Sequence, residues 1–155
     1  MKYFAAILAI SLIGAAPSID VGKNVQVSAG LPNVAHDEVM MGADPKSASH
    51  LVGCSILAYS DSRALKTAAY ITFDGGISWA KTLEAGFGDP DCTIGNNGDG
   101  IFTTIGQSDD GKKLYLMAYT SADGGRTWKS SHFVLSDRIN DRDYVTVHRS
   151  RNSRY

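Results

Sequence analysis

Helical periodicity, surplus charge of either sign and metal-type cysteine spacing are all missing from this chain. Beyond the first 16 residues no segment sustains a helical apolar period, so a helical fold is excluded and short apolar runs between turn signals are left. Lys and Arg number 15 and Asp and Glu 16, for a net charge of −1, which leaves no footprint for nucleic acid or an anionic membrane surface. Charged residues make up only 20% and hydrophobic ones 43%, the balance of a globular domain and not of a disordered one. Cysteine is limited to Cys54 and Cys92, with no Cys-x-x-Cys and no histidine at metal-site spacing. The pair could close one disulfide in an exported protein; because both sit inside apolar strand segments, the reading favours buried free thiols. Arginine does not occur before Arg63.

What is present is a repeat. Thr72-Phe73-Asp74-Gly75-Gly76-Ile77-Ser78-Trp79 recurs as Ser121-Ala122-Asp123-Gly124-Gly125-Arg126-Thr127-Trp128, 49 residues later, and Ala69-Tyr70 before the first copy recurs as Ala118-Tyr119 before the second. A period of about 40–50 residues is the length of a four-stranded propeller blade. Within each copy the glycine pair suits the positive φ angles of a tight turn, and the short Asp carboxylate suits a turn that accepts N–H bonds. The Trp opens the next strand and offers a large apolar body to a neighbouring sheet. Turn chemistry accounts for every position, so the motif is read as a structural staple. The rival reading, with Asp74 and Asp123 as catalytic acids and the tryptophans as a sugar platform, explains fewer of them.

Two blades can be laid out. The first comprises 38–43, 51–59, 65–73 and 79–83; the second comprises 91–96, 101–106, 113–120 and 128–135. A ninth strand at 144–147 would begin a third blade, and residues 17–35, including Val25-Gln26-Val27, are expected to add an outer strand. A fainter repeat sets an acid before an apolar run at Glu38, Asp91 and Asp143, spaced 53 and 52 residues apart. In an up-and-down blade the motif lies between the third and fourth strands, on one face. The start of each inner strand lies on the other, close to the axis. Glu38, Asp89, Asp91, Asp141, Arg142 and Asp143 are therefore expected on a common rim, flanked by Tyr59, Asp61, Arg63, Asp109 and Asp110. Solvated turn residues are the plain reading of each acid alone. As a group, Glu38, Asp89, Asp91, Asp141 and Asp143 could hold a hard cation such as Ca²⁺, although no cofactor is required. Asp91, Asp143, Arg142 and Arg63 are the candidates for glycoside chemistry, which needs an acid and a second group across the scissile bond.

The motif resembles the Asp-box, or BNR repeat, Ser-x-Asp-x-Gly-x-Thr-Trp, of sialidase-like β-propellers of the secreted bacterial type. Asp74, Gly76, Trp79, Asp123, Gly125 and Trp128 match it, and the second copy matches at every defined position. The resemblance implies an all-β propeller of the sialidase superfamily, present here over 17–155 as an incomplete arc of about two four-stranded blades plus the start of a third, with further blades expected from a longer chain. It also implies an exported protein that acts on or binds glycans or other extracellular polymers. Two alternatives stay open: an exo-α-sialidase or other glycoside hydrolase with catalytic residues outside this chain, and a protein-interaction propeller of the sortilin type. A sialidase grips its substrate's carboxylate with three arginines, whose planar forks suit that task. The family's first-arginine motif, Phe/Tyr-Arg-Ile/Leu-Pro ahead of the first box, has no match here; Asp137-Arg138-Ile139-Asn140 follows the second box and lacks the aromatic and the proline.

Residues 1–16 read as a secretory signal. Lys2 gives a positive start, 3–13 form an apolar run, and Gly14-Ala15-Ala16 are small residues for cleavage, with Pro17 leaving the cut position open. The run is too short to span roughly 30 Å of hydrocarbon, so no membrane span is expected. A secreted or periplasmic protein follows.

Overall fold

A computed structural model describes residues 19–61, 65–134 and 143–147 of the chain. Its described residues are all-β. The strands are β1 (Ala35–Asp44), β2 (Ser47–Ala58), β3 (Leu65–Thr72), β4 (Ala80–Ala85), β5 (Gly88–Ile94), β6 (Gly100–Gln107), β7 (Leu114–Ser121) and β8 (Lys129–Val134). They form two antiparallel four-stranded sheets in the orders β1-β2-β3-β4 and β5-β6-β7-β8, so every strand pairs with its neighbour in sequence. Among the described residues no helix is long and apolar enough to cross a membrane.

The two sheets stack, and the core lies in the seam between them. Val52, Cys54, Ala69 and Ile71 from the first sheet pack on Cys92, Ile94, Phe102 and Tyr119 from the second. The inner strands approach so closely that a Cβ on Gly42 of β1 would stand 2.8 Å from the Thr93 Cα of β5. Here glycine is required by the distance between backbones.

Cys54 and Cys92 correct the free-thiol expectation: they form a disulfide across this seam, with Cα atoms 6.2 Å apart. Both are buried, so burial alone did not separate a thiol from a disulfide. What decides is that β2 and β5 face one another, which the sequence pattern of either strand does not reveal.

Each inner strand carries a bulge near its start. Register slips between Asp37 and Met40 in β1 and between Gly88 and Asp91 in β5. Inside each bulge an acid takes a left-handed backbone, Glu38 at φ 50° and Asp89 at φ 46°. The matching bulges make Asp89 the equivalent of Glu38, and Met40 the equivalent of Asp91. The sequence spacing had matched Glu38 with Asp91 because a bulge shifts phase without changing composition.

The expected outer strand at Val25-Gln26-Val27 is absent, since residues 19–34 run as loop and turns. Instead Val27, Leu31 and Val34 pack on Leu57, Ala68 and Tyr70, on the face of the first sheet turned away from the seam. Trp79 joins them there, whereas its repeat partner Trp128 packs into the seam. Each Trp thus leans toward the sheet side that precedes its own. For the first sheet the 27–34 segment supplies that cover.

The expected ninth strand is not formed either. Residues 143–147 make no ladder, yet the Val145 N–H donates to Oδ2 of Asp91 in β5 at 2.7 Å. A strand is defined by its ladder, and no neighbouring strand pairs with this segment among the described residues.

Candidate functional site

The two boxes fold alike. Thr72 Oγ1 donates to Asp74 Oδ1 at 2.7 Å and accepts the Gly76 N–H at 3.1 Å. Asp74 in turn accepts the Ser78 N–H at 2.9 Å and the Ser78 hydroxyl at 2.5 Å. In the second box Ser121 Oγ donates to Asp123 Oδ1 at 2.7 Å, and Asp123 accepts from the Thr127 N–H at 2.8 Å and its hydroxyl at 2.6 Å. The glycine pairs have φ of 74° and 90° in the first box and 74° and 91° in the second. Hydrogen bonds to the charged form, the Ser78 hydroxyl first among them, hold Asp74 down at about 2. The Thr127 hydroxyl leads the same effect at Asp123, which is held far below the ordinary carboxylate value. Carboxylates this fully engaged are poor proton carriers.

The second box also clamps the sheets. His50, buried on β2, sets Nε2 2.9 Å from the Gly124 carbonyl oxygen and Nδ1 2.9 Å from Asp44 Oδ2. Its ring stacks on Phe73 with centroids 4.5 Å apart, and the Arg126 guanidinium lies 3.6 Å from the Phe73 centroid. Arg126 also donates to the Asp123 carbonyl at 2.8 Å. Trp128 Nε1 reaches across to Thr82 Oγ1 at 3.0 Å, and its ring meets Phe102 edge-on. The sequence reading found the box but not His50, whose isolated position carries no motif.

Antiparallel topology puts the boxes at one end of the sheets and the starts of β1 and β5 at the other. At that second end Asp91 is 7% exposed and accepts the Cys92 N–H at 2.8 Å as well as the Val145 N–H at 2.7 Å. Asp143 lies beside it. Both Asp143 carboxylate oxygens are buried without a hydrogen-bond partner. Burial pushes the Asp143 pKa up, the nearby Thr103 hydroxyl opposes part of that rise, and the charges of Asp91 and Asp89 add to it. Two of the expected rim acids are thus brought together, with Asp89 close enough to be felt. Glu38 occupies the corresponding bulge on β1.

The other expected rim residues divide. Arg63, Asp141 and Arg142 lie outside the described residues. Tyr59 donates to Glu84 Oε2 at 3.0 Å, while Asp110 accepts the Ser108 hydroxyl at 2.7 Å within its own turn. Asp61 and Asp109 are exposed turn residues. Among the described residues no group of three or more His, Cys, Asp or Glu side chains is arranged to hold a metal ion. Of the acids that could hold Ca²⁺, Glu38, Asp89, Asp91 and Asp143 are among the described residues and Asp141 is not.

No protein-family model matches the chain. A search of curated proteins likewise finds no match. Among solved structures the chain is similar to an α-L-arabinanase from Penicillium chrysogenum, complexed with arabinobiose, at 14% identity and a TM-score of 0.48. The similarity covers 68% of this chain and 34% of the arabinanase, so the chain spans about a third of that structure's length.

Proposed function

We propose that this chain is an arc of an exported, sialidase-like β-propeller that acts on or binds glycans or other extracellular polymers at the Asp91–Asp143 rim. The observation that carries the reading is the unequal treatment of these two neighbouring carboxylates. Asp91 accepts from two backbone N–H groups, while half-buried Asp143 has both carboxylate oxygens buried without a hydrogen-bond partner and is shifted toward its protonated form. Acid–base chemistry on a glycosidic bond needs two neighbouring carboxyl groups in unlike environments, one of them ready to carry a proton. The strained acid at Asp89 fits the same picture, since left-handed non-glycine backbone gathers at working sites.

Support for the propeller comes from the repeat of one box per four-stranded up-and-down sheet, and from the Val145 N–H reaching Asp91 of β5. A closed ring of this kind needs further blades. The apolar start of the chain and the Cys54–Cys92 disulfide both suit an exported protein. A glycoside hydrolase is the reading next in line, favoured by the same carboxylate pair. Arg142, one residue from Asp143 in sequence, is the nearest candidate to grip an anionic sugar.

The test is binding of the protein to a glycan array, followed by hydrolysis assays on whichever glycans it retains. Asp143→Asn and Asp91→Asn should each weaken binding or turnover at least tenfold, while Asp61→Asn on the neighbouring turn leaves it unchanged. Retention of full binding by both rim variants would discard the site. A melting curve that shifts with Ca²⁺ and returns with chelator, in wild type but not in Asp91→Asn, would move the assignment from acid–base pair to cation site.

A further inference from the structure

We propose that His50 is a proton-dependent latch between the two sheets: its imidazolium form ties β1 and β2 to the second box, and loss of the proton releases the box. Each ring nitrogen faces an oxygen that can only accept. Nδ1 lies 2.9 Å from Asp44 Oδ2, and Nε2 lies 2.9 Å from the Gly124 carbonyl oxygen. A carbonyl has no proton to give. Asp44 is an ionised carboxylate, held below its ordinary value by the His50 side chain first and by the Lys46 N–H second. Neutral imidazole has one N–H and one lone pair, so it serves one of these oxygens and sets its lone pair against the other. The imidazolium donates to both. Turning the ring over does not help, because carbons would then meet both oxygens.

The surroundings leave little water to absorb a mismatch. His50 is 6% exposed, and its ring stacks on Phe73. Gly124 presses so close that a Cβ there would stand 3.0 Å from His50 Cε1 and 3.1 Å from Nε2. Asp44 of β1 is the charged group that touches the ring, and it favours the imidazolium. Arg126 of the second box, over the same Phe73, opposes it. Lys46 is exposed in the turn between β1 and β2. Asp99 is exposed in the turn between β5 and β6, whose Gly98 packs toward Asp44. The box carboxylates of Asp74 and Asp123 are engaged by Ser78 and Thr127.

The latch therefore contributes most in acid, where the ring makes both bonds. As pH rises and the proton leaves to solvent, Nδ1–H stays with Asp44, because a hydrogen bond to a carboxylate is the stronger. The bond to Gly124 is the one given up, so the second box is let go while β1 and β2 remain joined.

The experiment is a long-range ¹H–¹⁵N correlation of the His50 ring in the full chain from pH 5 to pH 8, with His36, His132 and His148 assigned separately. Both His50 nitrogens should carry protons at pH 5. Nε2 alone should lose its proton as pH rises, and the Gly124 carbonyl shift should move along the same curve. Asp44→Asn is the companion variant. Its amide can donate to Nδ1, which lets a neutral ring protonated on Nε2 keep the Gly124 bond. In that variant the Gly124 carbonyl shift should stay constant over the same range. Its thermal midpoint should also fall less than that of wild type between pH 5 and pH 8, by roughly 3 °C, the worth of one hydrogen bond. A wild-type ring with only one protonated nitrogen at pH 5 would overturn the latch. So would a Gly124 shift that follows the wild-type curve in Asp44→Asn. If Asp44→Asn does not fold, the wild-type ring spectrum decides alone.

Discussion

Reduction of the Cys54–Cys92 disulfide should lower the thermal midpoint of this protein by roughly 10–20 °C. The bond closes a chain segment with a sequence separation of 38 residues and joins the two sheets across their common core. Loop-closure entropy of that length is worth about 4 kcal/mol, and for a domain of this size each kcal/mol moves the midpoint by a few degrees. The effect should be the same for Cys54→Ala, Cys92→Ala and the double variant, since any one of them opens the loop. Differential scanning calorimetry with and without reductant checks it. A midpoint that moves by less than about 3 °C would mean that the seam holds without the link.

Phe102→Ala should cost about 3–5 kcal/mol, the range for a large aromatic removed from a tight core. Phe102 is fully buried, meets Tyr119 and Trp128 edge-on, and sits among the residues by which the second sheet seats on the first. The void left behind would open the seam and not merely loosen one sheet. Urea unfolding gives the number. A loss near 1 kcal/mol would show that the neighbours collapse into the space and that the seam tolerates repacking.

Much of this architecture was legible in the chain. The box repeat marked the connection between the third and fourth strands in both sheets, because an Asp, two glycines and a hydroxyl residue have one common use in a tight turn. The strands came out close to their observed bounds because apolar runs between turn residues follow a period that local chemistry sets. What escaped the sequence depends on which sheet faces which. Cys54 and Cys92 meet only because β2 and β5 pack together. The segment at 25–27 has strand-like residues but contributes its apolar side chains as cover. The bulges that align Glu38 with Asp89 displace the phase by residues that no composition flags. At the rim, the sequence named Asp91 and Asp143 together although its phasing matched Glu38 to the wrong acid, and the isolation of the Asp143 carboxylate required coordinates. His50 joins Asp44 to Gly124 and could not be anticipated from its neighbours in sequence.

Two sets of carboxylates carry opposite signs in this account, and stability measured against pH separates them. The box acids have folded pKa values depressed below the ordinary 3.8, so the stability they contribute is present above that value and is lost as pH falls through and below it. Asp143 has a raised folded pKa, so its charged form opposes folding; the penalty grows as pH rises above 3.8 and is absent below it. The deciding measurement is the thermal midpoint of wild type, Asp123→Asn and Asp143→Asn from pH 3 to pH 8. Asp123→Asn should melt below wild type at neutral pH and approach it in acid. Asp143→Asn should melt above wild type at neutral pH and converge with it near pH 3. If Asp143→Asn instead melts below wild type at neutral pH while Asp123→Asn melts with it, then the rim holds the fold together, the box does not, and the division of labour described for this protein is reversed.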